Sequence, residues 1–138
     1  MYEKTIIVGN LTRDPEMRYH GEQGTPVTTI NVAVNKSWTD KNGTKHKRTK
    51  WVRVSVWGGQ AEPVNLYLKK GRQVLVEGTY TEDKETGNPR VYVRDDGSPG
   101  SQFEMKAIQV IFLGSKDSNG SESPISVPDD VDEEDIPF

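Results

Sequence analysis

The fold is decided by the stretch Lys50-Trp51-Val52-Arg53-Val54-Ser55-Val56-Trp57. Its residues alternate with period two, which is the signature of a β-strand with two distinct faces. The three valines form an apolar face that suits a core, so the tryptophans and the arginine point the other way. Large flat rings beside a cation suit an unpaired nucleobase and its phosphate, because every base has a π-face that can stack. The alternative is a strand buried on both faces, with both tryptophans in a second core or a subunit interface.

The rest of the chain up to residue 113 predicts short strands and one helix. The helix is expected over residues 60–70, with Gly71 ending it. Further strands are expected over residues 4–11, 27–34, 72–79 and 103–113, and a hairpin through 85–89 leads into a short strand at 90–94. Gly9 marks a bend or bulge in the first strand. The helix between the third and fourth main strands predicts an all-β, five-stranded OB-fold barrel, and an open α+β sheet is the alternative.

The charge is divided along the chain. Residues 1–113 contain 17 basic and 13 acidic residues, a net charge of +4, whereas residues 114–138 carry −7 of the overall −3. A basic body predicts a polyanionic partner. Residues 114–138 lack apolar patterning and are rich in polar and then acidic residues, which predicts a disordered acidic tail. Its end carries Ile136 and Phe138, and an acidic peptide with an apolar tip is suited to capture by a partner protein.

Composition argues against several other classes of protein. There is no cysteine, and His20 and His46 are 26 residues apart, so neither a metal site nor a cofactor is expected. No glycine-rich phosphate loop is present, and no catalytic residues are assigned. A nuclease built on the acidic residues 129–135 is the enzyme alternative. The sequence has no apolar run of membrane-spanning length, so we expect a cytoplasmic, nucleoid-associated protein that does not bind membranes.

Basic and aromatic residues cluster around the opening strand. The connection before it contains an Asn42-Gly43 turn signal and has a net charge of +4 over residues 39–50. Trp38 is expected to lie beside Trp51 across this hairpin, and Tyr92 repeats the aromatic-basic pattern on another strand. The candidate phosphate-binding residues are Lys36, Lys45, Lys47, Arg48, Lys50, Arg53, Arg90 and Arg94. If the five basic residues within 39–50 each neutralise one phosphate of a single strand, the logarithm of the affinity falls with the logarithm of the salt concentration at a slope of about −3.5.

Several motifs resemble those of bacterial-type single-stranded DNA-binding proteins. They cover most of residues 4–113 and the chain's end. The matching segments are Val8-Gly9-Asn10-Leu11, Arg13-Asp14-Pro15-Glu16-Met17-Arg18-Tyr19, Ser37-Trp38, Trp51-Val52-Arg53-Val54, Tyr67-Leu68-Lys69-Lys70-Gly71, Val76-Glu77-Gly78 and the tip Asp135-Ile136-Pro137-Phe138. The resemblance implies an OB-fold that assembles as a homotetramer and wraps single-stranded DNA with little sequence preference.

The resemblance also implies roles for particular residues. Trp38, Trp51 and Trp57 match base-stacking positions, and Lys70 matches a basic position near the DNA backbone. The tip implies recruitment of replication, repair and recombination proteins. One departure is Glu85, which stands near a position where the family often has another stacking tryptophan, so this hairpin is expected to contribute less.

The sequence therefore predicts a non-catalytic protein with two parts. Residues 1–113 form an OB-fold domain that binds single-stranded DNA, and residues 114–138 form an acidic tail with a partner-binding tip. Two alternatives remain open. One is an OB-fold RNA-binding or cold-shock-type nucleic-acid chaperone, and the other is a protein adaptor whose tryptophans lie at a subunit interface.

Overall fold

The computed structural model describes residues 1–114, so the predicted acidic tail and its tip lie outside the described residues. The strands are β1 (Thr5–Leu11), β2 (Glu16–His20), β3 (Thr25–Thr39), β4 (Lys45–Trp57), β5 (Gln73–Tyr80), β6 (Val91–Val93), β7 (Pro99–Ser101) and β8 (Phe103–Leu113). A 3₁₀ turn (Gly58–Gln60) leads into the helix α1 (Ala61–Tyr67) between β4 and β5. No helix within this part of the chain is long and apolar enough to cross a membrane.

Five strands close into a barrel. Their order is β1-β5-β8-β4-β3, and β1 also pairs with β3, which closes the sheet on itself. The β4–β8 pairing is parallel, whereas the other pairings are antiparallel. The remaining strand, β2, pairs only with β3 among the described strands. The predicted five-stranded OB-fold barrel with one short helix is confirmed, and the open α+β sheet is wrong.

Gly9 lies where β1 crosses from β5 to β3. The β1–β5 pairing runs from Thr5 to Asn10 without a register shift, so the bulge suggested by the sequence is absent here. A Cβ on Gly9 would instead lie 2.3 Å from the carbonyl oxygen of Ala33. This glycine is required because two backbones approach closely at the barrel closure.

The core is built from the inward residues of these strands. Val52, Val54 and Val56 are all almost fully buried, while Trp51 is 60% exposed. The alternative that β4 is buried on both faces is therefore wrong for this single chain. The other core side chains are Leu11, Ile30, Val32, Val64, Leu68, Val74, Val76 and Met105. The buried Thr28 hydroxyl donates to the carbonyl oxygen of Ala61 at 2.6 Å, which attaches α1 to β3.

The helix is shorter than the sequence predicts. It ends at Tyr67 instead of Lys70, and Leu68 is already extended. Leu68 is buried in the core, but Leu66 is 69% exposed. The physical reason is that a helix this short presents only a narrow stripe to the barrel, and that stripe is filled by Ala61 and Val64.

The segment between β5 and β8 also differs from the prediction. The expected strand around residues 90–94 forms β6, but β6 pairs with β7 in a separate two-stranded sheet and has no pairing to β5 among those observed. The turn is at Gly97, whose positive φ of 83° suits glycine and whose N–H donates to the carbonyl oxygen of Arg94. β5 pairs with β1 and β8 instead, because these strands complete the barrel.

Candidate nucleic-acid interface

β3 and β4 form a long hairpin that extends beyond the barrel. Their pairing continues without a register shift from Val27–Trp57 to Thr39–Lys45. β1 and β8 pair with the barrel half of this hairpin, but from residue 35 to residue 49 no third described strand pairs with it. We call this extension, residues 35–49, the β3–β4 arm. Both of its faces are open to solvent over most of their length.

The register separates the predicted binding residues onto two faces. Trp38 pairs with His46, which precedes Trp51 by five residues on β4. Because side chains alternate along a strand, an odd separation places Trp38 and Trp51 on opposite faces. The expectation that Trp38 lies beside Trp51 is therefore wrong. The Trp51 face carries Lys45, Lys47, Trp51, Arg53 and Trp57, and the Trp38 face carries Lys36, Trp38, His46, Arg48 and Lys50.

Trp38 is held at the end of the arm by its neighbours. The His46 ring stacks on it with centroids 5.3 Å apart, and the Arg48 guanidinium lies 5.4 Å from its centroid. His46 Nε2 lies 2.8 Å from Asp40 Oδ2, and Asp40 Oδ1 accepts hydrogen bonds from the backbone N–H groups of Asn42 and Thr44. The His46 contact is the main cause that lowers the pKa of the Asp40 carboxyl, and the Thr44 N–H adds to it. The arm therefore presents an indole that is held next to the Arg48 guanidinium.

The Trp51 face runs along β4 from the arm onto the barrel. Trp57 follows Trp51 by six positions, which corresponds to about 20 Å along a regular strand. Trp57 is 38% exposed, contacts the His20 ring edge-to-face at 5.4 Å and has the Lys106 ammonium 5.9 Å from its ring centroid. His20 and Lys106 were not assigned from the sequence. β2 was not among the expected strands, and the parallel β4–β8 pairing that brings Lys106 to this place is non-local.

Arg53 lies beside a glutamate whose charge is balanced by another arginine. Its partner on β8 is Glu104, and the Glu104 carboxylate is 2.6 Å from the Arg90 guanidinium. The structure thus gives Arg90 a carboxylate partner. The Arg94 guanidinium likewise donates to the Pro99 carbonyl oxygen at 3.0 Å, within the β6–β7 turn. Phosphate binding by these two arginines stays a prediction.

The other predicted positions lie away from the arm. The Tyr92 ring covers Gly100 on the neighbouring strand, where an added Cβ would lie 2.7 Å from the ring, and the side chain is 42% exposed. Lys70 is exposed in the loop before β5, and its backbone N–H donates to Asp14 Oδ1 at 2.9 Å. The next residue, Gly71, bonds to the end of β1 at Leu11, which pairs with β3. Base stacking by Tyr92 and phosphate binding by Lys70 remain predictions.

Comparison with known proteins identifies the family. The sequence profile of the Single-strand binding protein family matches residues 2–95. The chain belongs to this family. "Single-stranded DNA-binding protein 1" of Xylella fastidiosa (strain 9a5c) is 38% identical over 117 residues, which are 84% of this chain and 80% of that protein. A "Single-stranded DNA-binding protein" of Neisseria meningitidis serogroup B is 33% identical over 121 residues, 88% of this chain and 65% of that protein.

Two solved structures share the fold. A deletion mutant of the single-stranded DNA binding protein from Thermus aquaticus has a TM-score of 0.62 at 27% identity, covering 80% of this chain and 50% of that one. The Plasmodium falciparum SSB in complex with ssDNA has a TM-score of 0.67 at 24% identity, covering 83% of this chain and 97% of that one. The second likeness shows the fold alone.

Proposed function

We propose that this family member binds and protects single-stranded DNA with little regard to sequence. The observation that carries the proposal is the set of exposed tryptophans beside cations on both faces of the β3–β4 hairpin. Stacking on an indole tolerates any base, and lysine or arginine contacts to phosphate carry no sequence information. Relatives that cover most of this chain carry the name single-stranded DNA-binding protein, which supports the same conclusion.

The two faces suggest how a strand is held. Trp51 and Trp57 are far enough apart on one face to stack separate bases, while Trp38 offers a third position on the other face. A bound strand that uses all three therefore passes around the arm. We assign phosphate contacts to the exposed cations along this path, with Lys70, Arg90 and Arg94 as more distant contributors. In this role the protein is non-catalytic.

We further propose assembly as a homotetramer. The outward side chains of β1, β5 and β8 form an apolar row in which Val8, Leu75 and Ile111 are in register, and Ile6 beside them is 56% exposed. Contiguous exposed apolar surface of this kind often marks an interface between proteins. Sedimentation equilibrium of the full chain tests this, and a monomer at micromolar concentration would contradict it.

The acidic tip is the second element of the proposed function. Asp135, Ile136, Pro137 and Phe138 would recruit replication, repair and recombination proteins to the bound strand in the nucleoid. Removing Phe138 alone is expected to abolish capture of such enzymes while leaving DNA affinity unchanged. Equal capture by the full and the shortened chain would contradict the role of the tip.

The central experiment is a fluorescence titration. Tryptophan emission of the full chain is followed while poly(dT), or poly(rU) of the same length, is added at a series of salt concentrations. We expect strong quenching by poly(dT), with affinity that falls with salt at a log–log slope of about −3.5 if five phosphates are neutralised. Replacing both Lys45 and Lys47 with glutamine should reduce that slope by about 1.4.

The same titration separates the alternatives. Binding to poly(rU) that equals or exceeds binding to poly(dT) would support the RNA-chaperone alternative. Tryptophan fluorescence that is unchanged by either polymer at low salt would contradict the stacking assignment. It would instead favour the adaptor alternative, in which the tryptophans lie at a protein interface.

A further inference from the structure

A groove lies at the end of the barrel next to the β3–β4 arm. It has a volume of about 790 Å³, within the range of roughly 300–1,000 Å³ that is typical of ligand sites. Tyr80 at the end of β5 and Phe103 at the start of β8 line it, and Lys50 and Trp51 of β4 also contribute. Tyr80 and Phe103 follow the inward alternation of their strands but lie beyond the core, so they are 39% and 49% exposed. The barrel therefore ends in open aromatic surface.

The contacts within the groove are those that a nucleotide would use. The ring centroids of Tyr80 and Phe103 are 6.2 Å apart with planes inclined at 44°. The Lys50 ammonium lies over the Phe103 ring at 4.9 Å from the centroid. Lysine carries its charge on a flexible stem, so this ammonium can leave the ring when a flat group takes its place. An aromatic ring covered only by a mobile cation is a stacking site with a phosphate contact beside it.

The charges that line the groove favour a base inside it and disfavour a phosphate. Carboxylates of Glu3, Glu82 and Glu104 line it, and they would repel a phosphate placed inside. Two of them have internal partners, since Glu104 is bound to Arg90 and Glu3 accepts the Tyr80 backbone N–H at 3.0 Å. The Lys50 ammonium lines the groove on the side of the arm. A strand that crosses this end can place its sugar-phosphate backbone outside and a base inside.

The groove is also continuous with the Trp51 surface. Phe103 is the β8 partner of Val52, the residue next to Trp51, in the parallel β4–β8 pairing. Because side chains alternate along β4, Phe103 and Lys50 lie on the Trp38 face, whereas Trp51 points to the other face and also lines the groove. A strand that passes around the arm from Trp51 to the Trp38 face therefore crosses the mouth of the groove.

We propose that a base of bound single-stranded DNA stacks on Phe103 in this groove, with Tyr80 as the second wall and Lys50 moving to the phosphate. This rests on the proposed function. It adds a stacking site that is separate from the three tryptophans and that depends on the non-local meeting of β4, β5 and β8.

The test compares Phe103→Ala with the unsubstituted full chain. Affinity is measured for a dT oligomer and for an abasic oligomer of the same length, at low salt. We expect about a tenfold loss of affinity for the dT oligomer and little change for the abasic one, because only the base is stacked. Phe103→Trp should retain affinity, and Phe103→Leu, which keeps apolar volume without a flat ring, should lose as much as alanine.

A matched control is Leu66→Ala, which removes an exposed apolar side chain from α1, outside the groove, and should bind the dT oligomer normally. Full dT affinity in both Phe103→Ala and Phe103→Leu would overturn the groove proposal while leaving the proposed function intact. An equal loss on the abasic oligomer would overturn base stacking at Phe103. Failure of the unsubstituted chain to bind any dT oligomer would instead overturn the proposed function.

Discussion

The two halves of the β3–β4 hairpin differ in what determines their side-chain pattern, although the backbone pairing of β3 and β4 is continuous. In the barrel half, residues 50–57 of β4 bury their valines, while Arg53 between them is exposed and Ser55 is half-buried. In the β3–β4 arm, residues 35–49, neither face is covered by another described strand. The core therefore determines the alternation of the first half, while in the second half side chains are free to serve a partner. Substitutions in the barrel half should therefore destabilise the fold, whereas substitutions in the arm should weaken only the binding of a partner.

The arm still needs support to keep its shape. An isolated two-stranded hairpin is marginally stable in water. Here the arm continues strands that are fixed in the barrel, and its tip is tied by Asp40, which accepts two backbone N–H groups and contacts His46. A rigid base and a tied tip keep Trp38 in place without a core.

The largest expected effect lies in the barrel half. Val54 is fully buried, so Val54→Asp places a carboxylate among apolar side chains. The desolvation cost is several kcal/mol, and we expect a loss of at least about 4 kcal/mol in the free energy of unfolding. Because domains of this size are stable by only about 5–15 kcal/mol, the variant should lose a large share of its stability and unfold at a much lower urea concentration. Urea denaturation followed by far-ultraviolet circular dichroism measures this.

The neighbouring residue provides the matched control. Ser55 points to the other face and pairs with Lys106 on β8. Ser55→Asp therefore introduces the same charge one residue away and should change stability by less than about 1 kcal/mol. Equal destabilisation by the two substitutions would contradict the two-faced character of the barrel half.

This comparison also explains what the sequence could predict. Alternation in β4 is a local signal imposed by the core, so the strand and its buried valines followed from it. The OB-fold barrel followed from the order of the elements, with the helix between the third and fourth main strands. The placement of Trp38 did not follow, because a shift of one residue in register reverses every side chain and the hairpin turn alone sets that register. Phe103 and Lys106 were missed for another reason, since the parallel β4–β8 pairing joins segments about fifty residues apart. The β6–β7 pairing was misassigned because a three-residue strand carries little periodic signal.

A second, smaller effect tests the two faces of the hairpin. We expect Trp38→Ala and Trp51→Ala each to weaken binding of single-stranded DNA by about 1–3 kcal/mol without changing the urea midpoint, because both indoles are exposed. The register places them well apart and on opposite faces, so the two losses should add in the double variant to within about 0.5 kcal/mol. Fluorescence anisotropy of a labelled dT oligomer gives the three affinities.

The additivity is the informative part of that experiment. A double variant no weaker than the Trp51→Ala protein would show that a strand bound at Trp51 does not reach the other face. The proposed path around the arm would then be wrong, although base stacking on Trp51 would stand.

The smallest effect concerns the tip of the arm. The pKa of Asp40 is lowered below its ordinary 3.8, first by the His46 contact and then by the Thr44 N–H. A carboxyl whose pKa is lowered in the folded state stabilises that state above its unfolded pKa, and the contribution is lost as the pH falls through the folded value. The tip should therefore be tied at neutral pH and loosen only below pH 3.8. Amide NMR signals of Asn42 and Thr44 should report this transition, and Asp40→Ala should abolish it while leaving the core signals unchanged.

The comparable aspartate Asp96 serves as the control, because its lowered pKa comes first from Ser98 in the separate β6–β7 turn. Asp96→Ala should leave the arm signals untouched, and an unchanged Thr44 titration in Asp40→Ala would show that the tip is held by other contacts.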